Sequence, residues 1–84
     1  MLAVQCKMAR AALGWGVRDL AKAAGVSVDT VSRLERGEDL MPRTLAAMRS
    51  TLEAAGVEFT NGEAPGVRLK NTGRTALSLE NKDG

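Results

Sequence analysis

Val17–Gly37 reads VRDLAKAAGVSVDTVSRLERG. Its first part is amphipathic, with Leu20, Ala21 and Ala24 on one apolar face. Gly25 ends that face, since glycine enters the left-handed region at little steric cost and so can stop a helix. Val26 points inward from a short turn. Ser27 then opens a second amphipathic segment as an N-cap, a position that favours a hydroxyl acceptor. Asp29 lies in the first turn of that segment, where the helix dipole favours an acid. Val31 and Leu34 face inward, and Gly37 ends the run. The stretch predicts two short helices, about Val17–Ala24 and Val28–Arg36, joined by a tight turn.

Outward from this pair the periodicity continues. Leu2, Cys6, Ala9 and Leu13 recur at helical spacing and mark a first helix that Gly14 can end. Trp15 follows, placed to pack in the corner between the first two helices. Glu38–Pro42 reads as a loop. A fourth helix covers about Arg43–Ala55, with Leu45, Met48 and Leu52 as its apolar stripe and Gly56 as its stop. The period then changes from helical to alternating in Val57–Thr60 and again in Val67–Lys70, with the turn formers NGEAPG between them. Two short strands are expected, pairing as a hairpin with Val57, Phe59, Val67 and Leu69 on one face. An isolated hairpin is marginal. This one has to pack on the helices or on a second copy of the chain, so these four residues are candidates for a dimer interface. Ala76–Leu79 is a weak candidate for a third strand, and disorder is expected from Glu80 onward. The expected organisation is a helical domain over 1–56, a hairpin over 57–70 and a tail over 71–84.

Composition narrows the function classes. The chain has 84 residues, enough for one small domain with a limited core, for which dimerisation is a common remedy. Hydrophobic residues make up 44% and charged residues 26%, which is ordinary for a globular protein without a membrane span. The first ten residues are too polar for a secretory leader, so a cytoplasmic, nucleoid-associated location is expected. Cys6 is the single cysteine and histidine is absent, so an intramolecular disulfide and a Cys/His zinc site are excluded. Cys6 reads as a small buried hydrophobe, with a redox sensor as the alternative. Neither a paired-carboxylate motif nor a Gly-rich phosphate loop is present, so neither enzyme chemistry nor a cofactor or metal is expected. The net charge is +2, and all of it lies in residues 1–55, which hold eight basic and six acidic residues. That balance suits a nucleic-acid partner without requiring one.

A helix pair joined by a tight Gly-containing turn is the helix-turn-helix motif, whose second helix can enter the DNA major groove. Arg10, Leu13, Gly14, the run LAKAAGVSVDTVSRLERG (Leu20–Gly37) and Pro42-Arg43 together resemble the Xre/Cro-like family of bacterial and phage regulators. The resemblance implies a mainly α, compact, lambda-repressor-like domain of four to five helices followed by the short C-terminal β-hairpin. It implies that the helix after Ser27 reads DNA, with Val28, Asp29 and Arg33 at base-reading positions and Thr30 and Ser32 at their margin. Ser27 would cap this helix and donate to phosphate. Val17 and Arg18 would lie on the DNA backbone, and Arg43 would approach the backbone or the minor groove. Arg10 and Glu35 would form a partly buried structural pair.

The residue chemistry agrees in part. Arginine is the usual bidentate reader of guanine, so Arg33 is the strongest base-reading candidate. Val28 can meet a thymine methyl group. Arg18, Lys22, Arg36 and Arg43 can supply charge to phosphates, with Ser27 and Ser32 as hydroxyl donors. Asp29 has two readings. It can accept from a cytosine amino group, or it can form an ordinary ion pair with Arg33 four residues on. Two features depart from the family pattern. Val17 cannot hydrogen-bond to phosphate, and Glu38-Asp39 places acids where relatives often carry bases. The expected function is a sequence-specific transcriptional regulator that binds double-stranded DNA as a homodimer. The alternative is an antitoxin or an adaptor for a protein partner such as a toxin or RNA polymerase, motivated by the acidic loop and the apolar hairpin.

Overall fold

The computed structural model describes residues 1–61 and 63–70. Four helices are followed by an antiparallel hairpin: α1 Ala3–Leu13, α2 Val17–Ala24, α3 Val28–Glu35, α4 Pro42–Ala54, β1 Val57–Thr60 and β2 Gly66–Leu69. The expected Ala76–Leu79 strand and the disorder expected from Glu80 lie outside the described residues.

The turn between α2 and α3 is built as its sequence requires. Gly25 takes a left-handed conformation (φ 72°), and its N–H donates to the Lys22 carbonyl at 3.3 Å. The Val26 N–H donates to the Ala21 carbonyl at 3.0 Å, closing a Schellman motif that brings an apolar residue back onto the helix end. Ser27 caps α3, its hydroxyl accepting from the Thr30 N–H at 3.0 Å. Pro42 belongs to α4 rather than to the preceding loop. At the first helical position its missing N–H has no partner to lose and its fixed φ suits the helix.

The core draws on every helix and on β1. Cys6 and Ala9 come from α1, Leu20 and Ala21 from α2, Val31 and Leu34 from α3, Met48 and Leu52 from α4, and Val57 from β1. Trp15 is half-buried and packs against this cluster, as its position predicted. A large aliphatic side chain contributes about 1.5–3 kcal/mol when fully buried. The hairpin supplies one such anchor, Val57, and so needs a second attachment.

That attachment is Gln5, a polar side chain only 1% exposed. Its amide nitrogen donates to the Thr60 carbonyl at 3.0 Å and the Gly66 carbonyl at 3.2 Å, the last pair of the strand ladder. Its amide oxygen accepts from the Leu2 N–H at 2.9 Å. A buried amide is tolerated when its groups are paired in this way. Sequence periodicity put Leu2 on the buried face of α1. Leu2 instead is the N-cap and is 52% exposed, and Gln5 takes the inward place.

The two expected strands pair antiparallel, and the register sets Val57 opposite Leu69 and Phe59 opposite Val67. Its apolar face is turned onto its own helices. Val57 is fully buried there and has no surface left to offer a second copy, which corrects its assignment to a dimer interface. Phe59 and Val67 are half-buried against the core, and Leu69 is 45% exposed.

Candidate nucleic-acid interface

Helix α3 divides its residues cleanly. Val31 and Leu34 are buried, and their burial fixes which side points outward. Val28, Asp29 and Arg33 are exposed on the outer side, with Thr30 and Ser32 half-buried at its edges. Val28 is 43% exposed, an uncovered apolar group suited to a methyl contact. Thr30 and Arg33 also line an open hollow of about 280 Å³ that reaches Met41 and Thr44 at the start of α4.

The Ser27 and Thr30 hydroxyls hydrogen-bond to each other at 2.8 Å. Each carries one hydrogen, and that bond uses one of the two, so the pair keeps one O–H free to donate outward. Arg18 and Lys22 on α2 and Arg43 on α4 are exposed, and among the described residues no carboxylate lies within ion-pair distance of them. Val17, in contrast, is half-buried and packs on the core, leaving Arg18 as the polar group at the start of α2.

Behind this surface lies a closed ionic site. Arg10 donates to Glu35 twice, from Nε at 2.6 Å and from Nη2 at 2.8 Å, and donates from Nη1 to the Trp15 carbonyl at 3.0 Å. The Cys6 thiol donates to the same carboxylate at 3.3 Å. These bonds tie α1, the α1–α2 corner and the end of α3 together. The Arg10 hydrogen bond is the main cause holding the Glu35 carboxyl below the usual carboxylate range, and Glu35 in turn holds the Arg10 guanidinium above its ordinary value. Burial, followed by the hydrogen bond to Glu35, pushes the Cys6 thiol up to about 12. Cys6 is therefore a thiol at neutral pH and lacks the thiolate that redox reactivity requires.

The outer end of α3 carries a second ionic cluster. Arg33 lies 4.0 Å from Asp29, so the intrahelical pair is present but long. The closer partner is Glu38, which accepts from Arg33 Nε at 3.1 Å and from Arg36 Nη2 at 3.1 Å. Those two arginines hold the Glu38 carboxyl below the usual range, Arg33 most strongly. From the sequence, Glu38 reads as part of an acidic loop that departs from the family pattern and motivates the protein-partner alternative, not as a partner of Arg33 and Arg36. The signal that could have placed it was its position directly after Gly37, where a helix-ending turn folds the chain back toward Arg33.

No helix among the described residues is long and apolar enough to cross a membrane. No curated protein matches the chain. A family model described as a helix-turn-helix domain matches residues 2–60, a span that takes in all four helices and β1. That span is more than half of the sequence, so the chain belongs to the helix-turn-helix domain family.

Proposed function

We propose that the protein is a sequence-specific DNA-binding transcriptional regulator, with α3 lying in the major groove and two copies binding together. The observation that carries this reading is the outer face of α3. Val28, Asp29 and Arg33 stand exposed on it, with Thr30 at its edge, while the opposite face is locked into the core and tied to α1. A rigid helix with an unoccupied polar face is the form in which base edges are read. Arg33 would take a guanine through its terminal nitrogens, and Val28 would meet a thymine methyl. Arg18, Lys22, Ser27, Ser32, Arg36 and Arg43 would contact phosphates and fix the register.

One helix of this length covers a few base pairs, and a two-fold dimer doubles the readout, with half-sites about one helical turn apart. The apolar groups left uncovered support a dimer. Leu69 on β2 is 45% exposed, and α1, which packs against β2, leaves Leu2 and Val4 about half exposed. Phe59, Val67 and Leu69 would supply the strand side of that contact, without Val57.

Selection of duplexes from a random pool, followed by binding measurements on Arg33→Ala, tests the reading. Arg33→Ala should lose about 1–3 kcal/mol of discrimination at one or two base pairs. Arg43→Ala should weaken all sequences alike and reduce the salt slope by about one. If Arg33→Ala retains the parent's sequence preference, α3 is not the reading helix.

A further inference from the structure

The turn that ends α3 does the same backbone work as the turn that ends α2, with different side chains. Gly37 is left-handed (φ 94°) and its N–H donates to the Leu34 carbonyl at 2.9 Å. The Glu38 N–H donates to the Arg33 carbonyl at 3.0 Å. This is again a Schellman motif, which usually brings an apolar residue onto an apolar partner, as it brings Val26 onto Ala21. At the end of α3 both positions are charged. The backbone delivers a carboxylate to the arginine that the DNA reading makes the principal base reader.

The contact has a direction. Glu38 Oε1 accepts from Nε of Arg33 at 3.1 Å, while Arg33 Nη1 stands 4.0 Å from Asp29, too far to be engaged in a hydrogen bond. The carboxylate thus occupies the inner nitrogen of Arg33 and leaves the terminal pair, which is the edge that matches guanine O6 and N7. Arg36 is held differently. Glu38 Oε2 accepts from its Nη2 at 3.1 Å and from its Nε at 3.4 Å, covering one whole side of the guanidinium. Arg36 must release Glu38 to turn that side toward a phosphate.

We propose that Glu38 is a specificity-setting residue of the DNA-binding face, orienting Arg33 for base reading while lowering the attraction of that face for DNA of any sequence. The inference rests on the DNA-binding reading above. Glu38 cancels one of the two charges of Arg33 and Arg36, and phosphate attraction, the main source of binding to random DNA, falls with it. The base contact of Arg33 is not blocked, so the ratio of specific to random binding rises. All three side chains are well exposed, between 45% and 58%, so the cluster can rearrange cheaply on binding.

The test uses the full chain and fluorescence anisotropy at two salt concentrations. The probes are a duplex selected by the parent protein, versions of it with each guanine replaced, and a duplex of random sequence. Glu38→Ala should bind random DNA about threefold to tenfold tighter and steepen the salt slope by about one. Its preference for the guanine that Arg33 reads should fall several-fold. Glu38→Gln keeps an acceptor for Arg33 Nε without the charge, so it should match Glu38→Ala on random DNA yet retain most of that preference. In an Arg33→Ala background, Glu38→Ala should change no base preference. Unchanged melting temperatures would show that these effects are not unfolding. Glu38→Ala with an unaltered ratio and slope, or with weaker binding to every duplex, overturns the proposal. If Arg33→Ala loses the preference and Glu38→Ala keeps it, the proposal alone fails. If the parent protein shows no preference to begin with, the DNA-reading assignment fails and the proposal fails with it.

Discussion

Glu35 is the last residue of α3 and Glu38 follows it across the left-handed turn at Gly37; each pairs with arginine, yet the two pairs have opposite consequences. Glu35 is 9% exposed and meets Arg10 through two charge-assisted hydrogen bonds, with a third bond from Cys6. Glu38 is 45% exposed and shares itself between Arg33 and Arg36. Burial decides the difference. A desolvated carboxylate cannot exchange its partner for water, so the Arg10 pair holds α3 against α1. An exposed carboxylate can exchange at little cost, so the Glu38 cluster adds little stability and is free to regroup when a ligand arrives.

The sharpest way to break this contrast is to remove the buried partner. Glu35→Ala leaves Arg10 without its carboxylate in a site that is 19% exposed. It should cost about 2–3 kcal/mol. In a domain of this size that lowers Tm by roughly 8–24 °C. Acid should do the same gradually. The Glu35 pKa is lowered in the folded state, so its contribution is complete above its ordinary value of 4.5 and is lost as pH falls through the depressed one. Urea unfolding between pH 6 and 3 should therefore show a loss of stability that is much reduced in Glu35→Gln.

A second buried polar group extends the comparison to the hairpin. Gln5→Ala leaves the Thr60 and Gly66 carbonyls without their side-chain donor and opens a gap beneath the ladder. A cost of about 1–3 kcal/mol is expected. Amide exchange should accelerate in β1 and β2 more than in α2 and α3. Uniform acceleration across the chain would show that Gln5 does not specifically secure the hairpin. The smallest effect should come from Glu38→Ala, whose melting temperature should stay within error of the parent.

The sequence disclosed these two regions unequally. The α2–turn–α3 unit was legible because each of its parts depends on a local rule: Gly25 for a left-handed residue, Ser27 for a cap, and Leu20, Val31 and Leu34 for a helical face. The hairpin was legible from its change of period and its turn formers. Gln5 was not, since a polar residue beside an apolar stripe looks solvated until the carbonyls it serves are folded against it from far along the chain. For the same reason spacing alone gives Leu2 a place in the core and Val57 a place at an interface. Both errors come from tertiary contacts that local spacing does not encode. The Arg10–Glu35 pairing came from resemblance rather than from spacing, because the two residues lie on different helices. The charges at Arg33, Arg36 and Glu38 were visible, but their grouping depends on the turn at Gly37 folding back onto the helix.

In the proposed complex the outer face of α3 meets DNA while its buried face and the Arg10–Glu35 pair stay fixed. Titrating isotope-labelled protein with a selected duplex, and following backbone and arginine side-chain resonances by NMR, tests it most directly. The largest shifts are expected at Ser27–Asp29, Arg33 and Arg36, with smaller shifts at Arg18 and Arg43 and an unchanged Arg10 Nε resonance. Shifts concentrated on α1 and the hairpin, with α3 unmoved, would contradict it.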